Sequence, residues 1–347
     1  MSASIEDVAK LAGVSIATVS RSLRGLPDVA AATRDKVLAA AQELDYVASP
    51  FAARLASGRS STLGVVVPFV NRWFFAEVLG AVEAVLSASG YDLLLHNLGD
   101  SAGRAQFFSI LPVRKRVDAV LIVSLALTDD EVAALKTLDL PVGVIGVHHP
   151  GLFSVRIDDV TSARKAVQHL LSLGHRRIGL IGGDTDDPMR FTPPHHRGTG
   201  YRQALREAGI EPDEAMERLG YFTVEGGEAA MLQLLRLPQR PTAVFAESDE
   251  MAYGAIRAIR RAGLRVPEDV AVIGFDDHAT ADLLDLSTIR QPVGEQGAVL
   301  AQELLDTLAN DREPSDVVLD TELVVRGSTV PEASVYAVPS HDSAGGS

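Results

Sequence analysis

Ala12-Gly13-Val14-Ser15-Ile16-Ala17-Thr18-Val19-Ser20-Arg21 decides how the start of this chain folds. Before it, Ile5, Val8, Ala9, Leu11 and Ala12 recur at helical spacing. Gly13 interrupts the pattern, which resumes after Ser15, whose hydroxyl can accept from the free backbone N–H groups of a new helix. The stretch predicts a helix-turn-helix. On its second helix Val19 and Leu23 fall on one face, while Ile16, Ala17, Ser20 and Arg21 fall towards the other, where base edges lie in a major groove. A third helix over 33–44, with Val37, Leu38, Ala41 and Leu44 facing inwards, completes a three-helix head over residues 1–47.

The 347 residues are 46% hydrophobic and 22% charged, the composition of a soluble globular protein of two or three domains. A net charge of -14 argues against nucleic acid as a partner. Its distribution reverses that reading. Residues 1–60 hold seven basic side chains (Lys10, Arg21, Arg24, Arg34, Lys36, Arg54, Arg59) against six acidic ones, so the excess of acid lies wholly in the remainder. An acidic body with a near-neutral head limits non-specific DNA binding. Cysteine is absent, which excludes disulfides, thiolate metal sites and a cysteine nucleophile. No basic leader precedes an apolar run and no segment is long and apolar enough to span a bilayer, so the expected location is the cytoplasm, away from membranes.

Residues 48–61 read as a hinge. Pro50-Phe51-Ala52-Ala53-Arg54-Leu55 has Pro at a first helical position, and so short a helix needs a partner or DNA to form. From Thr62 apolar strands alternate with amphipathic helices, the pattern of parallel α/β sheets. Two such series predict two lobes, about 62–160 with 292–330 and about 161–291, with a ligand cleft beyond the carboxyl ends of the strands. One strand is expected over 317–325, in the first lobe. Residues 331–347, rich in Pro, Ser and Gly, are expected to be a disordered tail.

Ile5-Glu6-Asp7-Val8-Ala9, Ala12-Gly13-Val14-Ser15, Thr18-Val19-Ser20-Arg21 and Thr33-Arg34-Asp35-Lys36-Val37 resemble the LacI/GalR family of bacterial transcription regulators. So do Glu43-Leu44-Asp45-Tyr46, Leu173-Gly174-His175-Arg176-Arg177-Ile178, Pro241-Thr242-Ala243-Val244-Phe245 and Val272-Ile273-Gly274-Phe275-Asp276-Asp277. The resemblance runs in order through nearly the whole chain. It implies a homodimer whose two heads read a near-palindromic operator, a hinge helix in the minor groove, and a periplasmic-binding-protein-like core that binds a small effector. The tail lacks the leucine heptads of tetrameric relatives, so two chains are expected. By motif position Ile16, Ala17 and Arg21 are the base readers and Leu55 the minor-groove wedge, with Ser15, Thr18, Ser20 and Arg54 completing the DNA-facing set. Arg21 can donate twice to a guanine, Ile16 and Ala17 offer methyl contacts, and an inserted leucine kinks a base step. The chain departs from the family's pattern at Ala48-Ser49, commonly Pro-Asn, and at Arg24, commonly Asn. Ser49 can still cap the hinge helix, and Arg24 adds a phosphate or base contact.

The resemblance also implies an effector site formed by Trp73, Phe74 and Phe75, by Arg197, by Phe222 and by Asp276, with Asp158 and Asp249 at neighbouring strand or loop ends. Carboxylates accept from vicinal hydroxyls, Arg197 donates in a fixed fork and aromatic faces cover sugar C–H groups, so a sugar is the expected effector and a purine the alternative. Induction and co-repression would use the same parts, and induction is the commoner outcome among relatives. No catalytic residue, metal or cofactor is expected. His148-His149 and His195-His196 lack carboxylates at ligand spacing, Gly182-Gly183-Asp184 has an acid where phosphate would sit, and no strand-to-helix serine elbow occurs. The rival from another class, a sugar-uptake binding protein, would lack the head and carry an export signal.

Overall fold

The head forms three helices, α1 (Ile5–Ala12), α2 (Ile16–Leu23) and α3 (Ala31–Glu43), in a computed structural model that describes residues 3–23, 28–46, 60–310 and 312–330. Ser4 and Asp7 cap α1 reciprocally, and Gly13 ends it with φ 67°, a left-handed conformation that glycine adopts without a Cβ clash. The Ser15 hydroxyl accepts from the Thr18 N–H at 3.2 Å, opening α2 as its position requires. Val8, Val19 and Val37 are fully buried and pack with Ala9, Ala40 and Ala41. Two expectations are corrected. The third helix starts two residues before Thr33, and Leu38 is 47% exposed. Val37, Ala40, Ala41 and Leu44 share one face, and Leu38 lies about 100° round the helix from Val37.

The core holds two six-stranded sheets. In the first lobe, β11 (Asp316–Leu319), β5 (Phe153–Ile157), β4 (Val142–Ile145), β3 (Ala119–Val123), β1 (Thr62–Val67) and β2 (Asp92–Asn97) lie in that order. β1, β3 and β4 are buried along their whole length, as parallel strands covered on both faces must be. In the second lobe the order is β12 (Glu322–Val324), β10 (Ser287–Arg290), β9 (Ala271–Asp276), β8 (Ala243–Ala246), β6 (Ile178–Gly182) and β7 (Glu217–Leu219). Only β12 is antiparallel to its neighbour among the pairings seen there. Helix α4 (Trp73–Ala88) covers the first sheet through Val78, Val82 and Leu86, together with the last helix, here α12 (Val293–Asn310), which contributes Leu300, Ala301 and Leu304.

The chain crosses between sheets after β5, after β10, and between β11 and β12. The last crossing corrects the expectation of one strand over 317–325 in the first lobe. β11 pairs with β5, whereas β12 pairs with β10 of the second lobe, and the Ser328 hydroxyl donates to the Val272 carbonyl there at 2.6 Å. The bend is anchored at Thr321, whose hydroxyl bonds Ser162 at 2.7 Å and whose carbonyl accepts from Lys165 at 3.2 Å. A strand pattern in sequence carries no mark of which sheet each half joins.

Candidate effector cleft and DNA-facing head

Helix α8 (Pro193–Glu207) begins at a proline, which suits a first helical turn, and so Arg197 stands inside the helix rather than before it. Its guanidinium is buried, lies 3.6 Å from the centroid of the Phe275 ring, and donates from Nε to Asp159 Oδ1 at 2.8 Å and from Nη1 to the Glu247 carbonyl. Asp276 Oδ1 is 3.8 Å from the same group. Burial works against the charge, but Asp159, Asp276 and Glu247 more than offset it and the guanidinium pKa is raised. Arg197, Asp159 and Asp276 border a cleft with about 750 Å³ of empty space, part of it open to solvent. Its first-lobe wall is Arg72, Trp73, Phe74 and Phe75 at the start of α4, and its second-lobe wall includes Phe222, Glu250 and Asp276. Phe222 can approach because residue 183 is glycine: a Cβ there would overlap its ring.

Asp276 closes β9 with φ 124°, an unfavourable backbone that positions its carboxylate at the cleft. Burial raises its pKa to about 7, against the pull of Arg197 and of the Gln291 side-chain amide, which donates to it. Gln291 in turn accepts from Gln296 of α12 at 3.1 Å, so an amide chain runs from the first lobe to Asp276. Behind Arg197, Glu247 is 1% exposed, accepts from the Gly183 N–H at 2.9 Å, and is pushed by burial to about 8. At the rim the Trp73 and His278 rings lie 4.7 Å apart, one from each lobe.

Trp73, Phe74, Phe75, Arg197, Phe222 and Asp276 therefore stand where the sequence places them, around one cleft. Asp158 and Asp249 do not. Asp158 caps α7 (Asp159–Ser172), accepting from the Thr161 N–H and hydroxyl, and borders a neighbouring recess. Asp249, at the start of α10 (Asp249–Arg261), is fully buried and holds Thr288 Oγ1 at 2.6 Å and the His278 N–H at 2.8 Å. Their sequence neighbours Asp159 and Glu250 border the cleft instead, as do Arg72, Phe191, Gln291 and Gln296. On the head, Ser15, Ile16, Ala17 and Arg21 are exposed; Thr18, bonded to Ser15, and Ser20 are half-buried. Arg24, Ser49, Arg54 and Leu55 lie outside the described residues.

Residues 4–49 match the pattern described as bacterial regulatory proteins, lacI family, and residues 167–329 match the periplasmic binding protein-like domain. The HTH-type transcriptional repressor CytR of Escherichia coli (strain K12) is 38% identical over 332 residues, covering 94% of this chain and 96% of that protein. The chain belongs to the lacI family of bacterial regulatory proteins. The HTH-type transcriptional regulator CelR of Thermobifida fusca is 37% identical, over 93% of this chain and 97% of its own length. Among solved structures, a Lac repressor dimer bound to operator and the anti-inducer ONPF superposes with TM-score 0.86 at 27% identity, covering 95% of this chain and 99% of that one. A CelR–cellobiose complex superposes with TM-score 0.69 at 35% identity, covering 94% and 99%. This lacI-family chain is a helix-turn-helix transcriptional regulator. Among its described residues no helix is long and apolar enough to cross a membrane.

Proposed function

We propose that the chain is a cytoplasmic, non-enzymatic repressor that binds a near-palindromic operator as a homodimer and is released from it by an uncharged sugar held in the core cleft. The observation that carries the reading is one chain joining an exposed Ile16, Ala17 and Arg21 helix to a cleft with a buried, forked arginine between carboxylates and aromatic rings. Arg21 would read a guanine in each half-site and Leu55 would wedge the centre. In the cleft Arg197 and Asp276 would bind hydroxyls, while Trp73, Phe74, Phe75 and Phe222 would cover apolar sugar faces. Two arginines, Arg72 and Arg197, face three acids, Asp159, Glu250 and Asp276, so the cleft offers no excess of positive charge to a phosphorylated sugar. The sugar would have to favour the conformation with low operator affinity, and operator would weaken sugar binding to the same degree.

The test is capture of fragments of the source genome by the purified full-length chain, with and without a panel of free and phosphorylated sugars. Recovery of a discrete palindromic site that a free sugar releases is the expected result. Enhancement by the small molecule would convert the reading to co-repression. Failure to enrich any fragment would overturn it.

A further inference from the structure

Between β6 and α8 the chain runs through residues 183–192, which belong to the second lobe by connectivity yet hold on to the first. The anchor is Arg104 on α5 (Ser101–Ile110), only 4% exposed although arginine is rarely buried. Its guanidinium is forked onto Glu131 of the first lobe at 2.8 and 2.7 Å, and donates to the Ala126 carbonyl at 2.7 Å and to the Met189 carbonyl. The Ala126 N–H donates to the next carbonyl, that of Arg190, at 3.3 Å. Two consecutive carbonyls of the segment are thus satisfied by the other lobe. Arg190 sits at φ 59°, a backbone that a non-glycine residue disfavours, while Met189 is buried. The Met189 N–H donates to the Asp187 carboxylate and the Arg190 N–H to the Asp187 carbonyl, which stiffens the turn.

The next residue is Phe191. Its ring packs against the first lobe's core and lies 5.9 Å from the Phe69 ring, and it forms part of the cleft wall. Arg104 itself does not border the cleft. We infer that Arg104, paired with Glu131, is a positioning residue for the cleft: it straps residues 187–191 to the first lobe and so fixes Phe191 as the wall that limits ligand size. The inference rests on the effector reading above for its ligand, but the strap itself is measurable without one.

Removing Arg104 alone would strand Glu131 partly buried, so the informative variant is Arg104→Met with Glu131→Gln, which removes both charges and leaves a side-chain oxygen to cap Thr128. Arg104→Lys keeps the charge but lacks the fork that reaches two carbonyls at once. In the ligand-free protein, hydrogen exchange of residues 184–192 should rise by about 10–100-fold in both variants, the loss expected for a charge-assisted hydrogen bond. Exchange in the second-lobe helices should not change, and acrylamide quenching of Trp73 should increase. Titration with cellobiose and ribose, followed by Trp73 fluorescence, should show the variants losing the wild-type preference between the two sugars, as Phe191→Ala should. Unchanged exchange at 184–192, or a retained preference despite faster exchange, would overturn the inference. A wild-type chain that binds neither sugar would count against the sugar reading only. Quenching of Trp73 would then decide the strap, and equal quenching in wild type and variants would refute it.

Discussion

Replacing Glu247 by Gln should make the protein more stable at alkaline pH while leaving it unchanged in acid. Glu247 is buried behind Arg197 and its carboxyl is pushed by burial from an ordinary 4.5 to about 8. The folded state therefore keeps a proton that the unfolded chain releases near pH 4.5. With the folded pKa raised, stability from this group is fully present below the unfolded value and is lost as pH climbs to the folded one. Each pH unit across that window costs the wild type about 1.4 kcal/mol, which accumulates to on the order of 4–5 kcal/mol by pH 8. Glutamine has the shape of the protonated acid and can accept from the Gly183 N–H in its place. Urea unfolding at pH 5, 6, 7, 8 and 9, followed by the single tryptophan, gives the difference between the two proteins; the titration of Asp276 is common to both and cancels to first order. The difference should be near zero at the acid end, widen steadily and level off above pH 8. Parallel stability curves would refute the reasoning, because they would mean that Glu247 titrates alike in the folded and unfolded states.

Two further outcomes follow from packing and from the head. A Cβ on Gly254 would overlap the Val224 carbonyl oxygen where α10 crosses α9 (Val224–Leu235), so Gly254→Ala should destabilise the core by about 1–3 kcal/mol in thermal or urea unfolding. Arg21→Ala should weaken operator binding by about 1–3 kcal/mol and relax preference at one base pair of each half-site, measured by binding to operators varied singly at each position; uniform weakening at every position would instead make Arg21 a phosphate contact.

The head was readable because its determinants are local: a cap at Ser15, a left-handed glycine at Gly13, and apolar spacing within 40 residues. The sheets were readable where strands are buried on both faces, as Leu63-Gly64-Val65-Val66-Val67 is. β10 gave no such signal. Ser287 and Thr288 are fully buried polar residues, satisfied by Ser328, Thr329 and Asp249 from distant segments, and nothing within Ser287-Thr288-Ile289-Arg290 announces those partners. The two misplaced acids share one cause. Asp158 and Asp159 flank the start of α7, and Asp249 and Glu250 are the first two residues of α10; successive side chains there diverge, by about 100° within a helix, so one serves a cap or a buried network and its neighbour reaches the cleft. Which of the pair does which depends on the helix's rotation about its axis, and that is set by packing elsewhere.

What local reading could least supply is what joins the lobes. Arg197, Asp159 and Asp276 alone would make a binding patch; a regulator needs a ligand's presence to change how the lobes relate. Two devices in this chain reach across: the amide chain from Gln296 through Gln291 to Asp276, and the strap from Arg104 to Met189 and Phe191. Both end on residues that border the cleft, so a ligand that displaces Phe191 or recruits Asp276 necessarily perturbs a link between lobes. Coupling of this kind requires differential contact in two conformations rather than tight binding in one. It follows that a substitution at Gln296, whose amide reaches Asp276 only through Gln291, should alter how strongly a bound sugar shifts operator affinity, measured by operator titration with and without the sugar.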